Sequence, residues 1–285
     1  MKILSFGEII WDIYPHKKCI GGAPLNFAAH ASKNSAESYL LSSVGNDEYG
    51  KEALDILKNL CVNCEHVSVN SKKPTGTCTV LLDKSGIPIY KIEEDTAYDH
   101  ICIDDKISLH GFDAVSFGIL ALRNENNRHV LREILKKVSS KVFCDLNLRS
   151  PFYDVETVEW AMSLCNVLKI NEDELKYILE NICKTSCPSV AESLDLISRR
   201  FENLELILYT CGENGAYVYE KSGKKLYYHP AKRVKVVSTV GAGDSFGAVF
   251  LTEYLKGESI DMCLSKSIEV SGKVVACEEA VPPNV

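Results

Sequence analysis

Short apolar runs alternate with longer amphipathic ones along most of this chain. Leu4 to Glu8, Leu40 to Val44, Ala114 to Phe117, Val142 to Asp145, Val167 to Ile170 and Leu206 to Thr210 read as buried strands, several of them continuous apolar runs of the parallel type. Between them, Glu48 to Leu60, Glu125 to Val138, Glu172 to Leu179 and Val190 to Phe201 place apolar residues at helical spacing. Helices dominate again after Asp244, one running to about Leu255 and another from about Ile260 to Cys277. The alternation predicts an α/β fold of three layers, α/β/α, around a central and mostly parallel sheet.

Two regions depart from this pattern. Residues 11–22 and 74–98 contain extended, alternating segments, among them Thr75 to Leu82 and Ile87 to Ile92, joined by a turn at Lys84-Ser85-Gly86 with no helix between them. They predict a small β-sheet standing off the main layer as a lid. No internal repeat or low-complexity linker divides the chain, so residues 1–285 are expected to form a single domain.

Composition narrows the function classes. With 285 residues, 46% of them apolar, the chain can bury a large core. A net charge of −7 offers no basic field for nucleic acid or for an anionic membrane, so any phosphate has to be held locally, by loops and individual cations. The apolar opening at residues 1–10 is broken by Glu8 and followed by Asp12 without a small-residue cleavage site, which suits a first strand better than an export signal. No apolar stretch approaches the roughly 20 residues of a bilayer span. A cytoplasmic protein without nucleic-acid or membrane partners is therefore expected. Most of the twelve cysteines stand singly in apolar segments (Cys144, Cys165, Cys211, Cys263, Cys277), as small core residues do in a reducing compartment. Cys61 and Cys64 form one C-x-x-C pair near His66, but Cys183 and Cys187 far downstream do not complete a standard zinc spacing.

The strongest chemical signal is Gly241-Ala242-Gly243-Asp244, a glycine turn that ends in a carboxylate and runs into an apolar, helix-like segment. Glycines and a helix start bring backbone N–H groups to an anion, and a carboxylate there suits a base that takes a proton from a hydroxyl attacking phosphorus. An ordinary helix cap would use the same residues. Asp12 with Gly21-Gly22-Ala23-Pro24-Leu25-Asn26 combines close backbone approach with a carboxylate and an amide, a mixture suited to a sugar or to a plain strand-to-helix connection. Asp145-Leu146-Asn147-Leu148-Arg149 follows a strand and can face a cleft. Asn171 and Glu174 share a helical face after another strand, as oxygen ligands for water-held Mg²⁺ or as an acidic first turn. Thr210, Gly212 and Gly215 could wrap a nucleotide phosphate or close a hairpin between Leu208 and Val218.

In order and spacing these elements resemble the ribokinase/PfkB family of sugar kinases, over essentially the whole chain. The resemblance implies a ribokinase-like fold, with ATP and Mg²⁺ as cofactors and a sugar as partner. By it, Asp244 is the base and the N–H groups of Gly241, Ala242 and Gly243 form an anion hole. Asp12, Gly21, Gly22, Asn26, Tyr98, Asn147 and Arg149 contact the sugar. Thr210, Gly212, Gly215, Asn171 and Ser271 serve the nucleotide, and Asn171 with Glu174 positions Mg²⁺ through water. Segment 74–98, with Ala97-Tyr98-Asp99, fits the family's lid, which can also form a homodimer contact.

Gly7-Glu8, the Gly-Gly-Ala-Pro run and Asp145-x-Asn147-x-Arg149 look most like fructokinases. Relatives acting on 2-keto-3-deoxygluconate, ribose or nucleosides share most of these motifs. Three departures stand out: Ser238 replaces the family's aspartate near a monovalent cation, Val240 replaces a common threonine, and Glu279-Ala280 replaces a Gly-Ala pair. The first puts K⁺ activation in question. Two other classes share part of the pattern, a catalytically silent sugar-binding homologue and a dinucleotide-binding oxidoreductase using Gly241, Gly243 and Gly247. The oxidoreductase fingerprint needs a following strand that ends in an acidic residue, and here another helix is expected.

Overall fold

A computed structural model describes residues 1–82, 88–103, 111–186 and 189–285. The expected turn at Lys84-Ser85-Gly86 and Cys187 lie outside the described residues. In chain order the first half comprises β1 (Lys2–Phe6), β2 (Ile10–Ile13), β3 (Lys18–Gly21), α1 (Ala23–Lys33), β4 (Glu37–Gly45), α2 (Glu48–Asn59), β5 (Val67–Asn70), β6 (Gly76–Leu82), β7 (Pro88–Ile92), β8 (Ala114–Gly118) and α3 (Glu125–Lys137). The second half continues with β9 (Lys141–Asp145), α4 (Val155–Leu164), β10 (Val167–Asn171), α5 (Glu172–Tyr177), α6 (Val190–Arg200), β11 (Leu206–Thr210), β12 (Ala216–Glu220), β13 (Lys225–His229), α7 (Ala242–Leu255) and α8 (Ile260–Val274).

Nine strands form the central sheet in the order β13-β12-β11-β10-β9-β8-β1-β4-β5, parallel from β11 to β5 with an antiparallel hairpin, β12-β13, at one edge. The alternation of each strand divides its apolar residues between two layers. Leu4, Phe6, Val115, Phe117, Leu168 and Ile170 enter the core covered by α3 to α6, while Ile3, Ala114, Phe143 and Val167 enter the one covered by α1, α7 and α8. Helix α7 packs between α1 and α8, and every residue from Ser245 to Glu253 is buried. That burial explains its apolar sequence on all sides.

A second sheet, β3-β2-β6-β7, is formed by the two segments that broke the sequence alternation. Its root is tied down by Asp47. This residue caps α2 by accepting the Gly50 N–H at 2.8 Å, and it also accepts the N–H and the hydroxyl of Thr75, immediately before β6, at 2.8 and 2.6 Å. Burial alone would raise its pKa, but the hydrogen bonds from Thr75 and Gly50 hold it below the ordinary value.

The strand expected to reach Glu8 stops at Phe6, because Gly7 turns the chain with φ of 148°. Helix α4 and strands β5, β12 and β13 are additions to the elements read from the sequence pattern.

Replacing Asp47 by alanine removes a cap and the lid anchor together, and is expected to cost about 1–3 kcal/mol. Because the folded-state pKa is depressed, that contribution is present above the ordinary aspartate value of 3.8 and lost as the pH falls through the folded-state value. Urea midpoints of wild type and Asp47→Ala should therefore differ at pH 7 and converge in acid; parallel curves would contradict the anchor.

Candidate active site

The carboxyl ends of the parallel strands meet along one edge of the central sheet, and the sequence sets polar residues there. Thr210 ends β11, Asn171 ends β10, Asp145 ends β9, and Glu8 lies just past β1. Parallel register places Asn171 beside Thr210 and Lys169 beside Asp145. This is the position at which open α/β sheets collect ligands.

Helix α7 begins above these strand ends. Its N-cap is Gly241, held in the left-handed region at φ of 79°, where a Cβ would fall 2.4 Å from the Ala280 carbonyl oxygen. Only glycine fits. No side chain caps the helix; the Ala242 N–H reaches the Thr239 carbonyl oxygen at 3.3 Å, and the following N–H groups lie at the positive end of the dipole without a cap. Asp244 sits within the first turn and does not act as the cap; its Oδ2 accepts a hydrogen bond from Asn26 Nδ2 at 2.8 Å. Burial, then the neighbouring Asp145 carboxylate, pushes Asp244 up to about 6, with Asn26, Lys169 and Arg149 pulling the other way.

Beneath Gly243 lies Lys169, which belongs to none of the sequence motifs. It is only 5% exposed, and its ammonium donates to both Asp145 oxygens at 3.0 and 2.8 Å. A Cβ on Gly243 would come within 3.0 Å of Nζ, so the glycine lets this cation lie against the helix start. Burial works against the charge, but Asp145, Glu174 and Asp244 around it keep the lysine pKa above its ordinary value. One sequence signal could have exposed it. A lysine inside the apolar run Val167 to Ile170 needs a buried partner, and Asp145 ends the neighbouring strand.

Of the residues expected to contact a sugar, two face a common cleft. Asp12, on β2, and Asn26, on α1, line a cleft of about 580 Å³ that continues to Ser238, Val240 and Ala280. Desolvation raises Asp12, opposed by a hydrogen bond from the Cys78 thiol and by the Arg149 charge. Gly21 lies so near that its Cβ would be 3.2 Å from Asp12 Oδ2. Arg149 is exposed and acts on Glu8, Asp12 and Asp244 through its charge. Asn147, half-buried, takes a left-handed φ of 42° two residues before it. Tyr98 is fully buried, with the Arg123 guanidinium 5.0 Å above its ring, and does not line this cleft.

On the nucleotide side, Thr210 pairs with Ala216 across the β11-β12 hairpin, with Gly212 and Gly215 at positive φ in the turn. The hairpin and the proposed phosphate loop are thus the same structure. Asn171 caps α5 by accepting the Glu174 N–H at 2.9 Å, while Glu174 accepts the N–H groups of Asn171 and Leu148 at 2.9 and 3.0 Å. Glu174 is buried and its pKa is raised, first by desolvation and then by Asp145. Ser271, half-buried on α8, donates to the Ile268 carbonyl at 3.3 Å. Ser238 accepts the Val240 N–H at 3.2 Å. Cys61 is exposed and Cys64 half-buried, and among the described residues no group of three or more His, Cys, Asp or Glu could hold a metal ion. Nor is any described helix long and apolar enough to cross a membrane.

The model of the pfkB family of carbohydrate kinases matches residues 16–284. A ribokinase of Dictyostelium discoideum is 30% identical over 274 residues, covering 91% of this chain and 83% of that protein. Fructokinase-2 of Oryza sativa subsp. japonica is 27% identical over 282 residues, covering 90% and 81%. Among solved structures, a double-mutant fructokinase of Vibrio cholerae O395, bound to fructose, ADP and potassium ion, superposes with a TM-score of 0.85 at 24% identity, over 98% of this chain and 94% of that one. The fold is therefore ribokinase-like.

A raised carboxylate pKa stabilises the folded state below the ordinary value of 3.8, and that contribution is lost as the pH rises through about 6. Asp244→Asn, which keeps an acceptor for Asn26, should accordingly melt above wild type at pH 8, with the gap closing below pH 4. Equal melting temperatures at pH 8 would show that Asp244 is not held against its charge.

Proposed function

The chain belongs to the pfkB family of carbohydrate kinases, and from that premise we propose that it transfers the γ-phosphoryl group of ATP to the primary 6-hydroxyl of D-fructose. The observation that carries this reading is the pairing at the start of α7. A carboxylate held by Asn26 stands beside uncapped N–H groups with a buried ammonium beneath them. Asp244 accepts the proton of the sugar hydroxyl as its oxygen attacks the γ-phosphorus. The Gly241, Ala242 and Gly243 N–H groups, with Lys169 below, offset the charge on the transferring group.

Asp12, Gly21, Gly22, Asn26, Asn147 and Arg149 orient the sugar, with Tyr98 supporting them. Thr210, Gly212, Gly215 and Ser271 hold the nucleotide. Asn171 and Glu174 fit Mg²⁺ through water, since each Glu174 oxygen has accepted one N–H and keeps a lone pair. Ser238 brings no negative charge where the family's aspartate stands, so the reading leaves K⁺ activation open. The reading includes a homodimer contact through the lid, supported by the exposed apolar Leu81 and Tyr90. Because phosphoryl transfer depends on positioning and charge, a lid that excludes water protects ATP from hydrolysis.

ADP formation across a panel of sugars with Mg·ATP tests the substrate: D-fructose should stimulate it above ribose and 2-keto-3-deoxygluconate. No stimulation by any sugar would sink the reading. Asp244→Asn should lower kcat by about 10²–10⁴, and the wild-type rate should fall as the pH drops through about 6, where the base takes up its proton. Lys169→Met made together with Asp145→Asn, so that no buried charge is stranded, should lower kcat by about 10²–10³ with little change in the sugar KM. A kcat within twofold of wild type would remove Lys169 from the phosphoryl site.

A further inference from the structure

Helix α1 carries Asn26 to the base, yet it has no cap of its own. Gly22 is its N-cap and offers no side chain, and no acidic residue lies in its first turn. The missing partner comes from the neighbouring strand. Glu8, just past β1, accepts the N–H of Ala23, the first residue of the helix, at 3.2 Å through Oε1. Its other oxygen, Oε2, is buried and has no hydrogen-bond partner, while the residue as a whole is 4% exposed. A buried carboxyl placed under a helix start and half satisfied there is rare enough to need a reason.

The surroundings limit what it can be. A Cβ on Gly22 would fall 2.4 Å from the Glu8 carbonyl oxygen, so the Gly21-Gly22 turn lies directly on this residue. Asn26 follows Ala23 by three residues, hence on the same side of the helix, and its amide reaches Asp244 at 2.8 Å. One short path therefore runs from Glu8 through the first turn of α1 to the base. Asp244, Arg149 and Tyr98 are the titratable groups whose charges couple to Glu8. Burial pushes Glu8 up to about 7, toward its neutral form. The anchor can then keep its hydrogen bond without adding a full negative charge beside the base.

Resting on the kinase reading above, we propose that Glu8 is a positioning residue for phosphoryl transfer: by capping α1 from the adjacent strand, it fixes Asn26 and, through it, the Asp244 carboxylate and the sugar turn.

Two substitutions separate this role from simple stability. Glu8→Gln keeps an acceptor for Ala23 and should retain kcat within about threefold, whereas Glu8→Leu removes it. In Glu8→Leu, kcat should fall by about 10–100-fold and the sugar KM should rise, with the ATP KM unchanged. Glu8→Leu should lose its effect in an Asn26→Leu background, because a residue that works through Asn26 has nothing left to position. Equal losses in Glu8→Gln and Glu8→Leu, or additive losses in the double variant, would overturn the proposal while an active wild type leaves the kinase reading intact. A wild type that forms no ADP with any sugar would overturn both. Equal rises in the ATP and sugar KM would also overturn it, since they would mark a general loosening of the fold.

Discussion

Everything at this site answers to an excess of negative charge in a confined space. Glu8, Asp145 and Glu174, all buried, and half-buried Asp244 are carboxyl groups linked to one another through their charges, and an anionic ligand would add more. The buried ammonium of Lys169 is what makes the arrangement tolerable, and its place follows from sheet geometry. Lys169 and Asp145 are register partners on adjacent parallel strands and share the sheet face covered by α1 and α7. On the opposite parity the same lysine would point into an apolar core without a partner. Removing Cβ at Gly243 then lets the helix start come down onto the cation, so strand register and glycine together bring the ammonium to the start of α7.

A second consequence concerns α1, which braces the site at both ends. Its first turn meets Glu8 and Asp244, while its last turn holds the C-terminal segment: His30 Nε2 is 2.8 Å from the Ala280 carbonyl oxygen, and Lys33 donates to the main-chain oxygens of Pro282, Pro283 and Val285 at 2.7, 3.1 and 3.0 Å. Ala280 is the residue against which Gly241 packs. Asp244 and the segment packed against Gly241 are thus tied to one helix. Burial drives the His30 pKa down, which suits a neutral ring acting as a hydrogen-bond partner inside this support.

Much of the fold was legible because strands buried on both faces are apolar throughout and helices packed on them are amphipathic. Such patterns hold without knowledge of contacts. Helix α4 escaped because Val155 to Leu164 mixes Trp160 and Met162 with few polar positions and shows little contrast between faces. The glycine turn was legible as chemistry, but whether Asp244 capped its helix or faced a ligand was not. That choice depends on Asn26, 218 residues away in sequence. Lys169 was hidden for a related reason, since its meaning lies in a partner on the next strand. Local spacing identifies candidate groups, and only the crossover connections decide which of them meet.

The lid shows the same division between fixed and adjustable parts. Its root is held by charge-assisted bonds: Asp47 takes three hydrogen bonds from Gly50 and Thr75, and Asp99 pairs with Arg123 at 2.7 and 2.8 Å next to Tyr98. At its far edge the lid meets the C-terminal segment through Lys17 and Glu278, 3.7 Å apart with both side chains more than half exposed. Water competes freely for an ion pair of that kind, so it holds the lid weakly. Asp12 lies between these two boundaries, on a strand whose neighbour β3 is also tied to α2 by the Lys18–Glu52 ion pair. The carboxylates and the cation beneath α7 belong to the central sheet and its helices, so their register does not depend on the surface pair of Lys17 and Glu278. The proposed phosphoryl transfer would draw on that separation, because charges preorganised on the sheet do not depend on the lid.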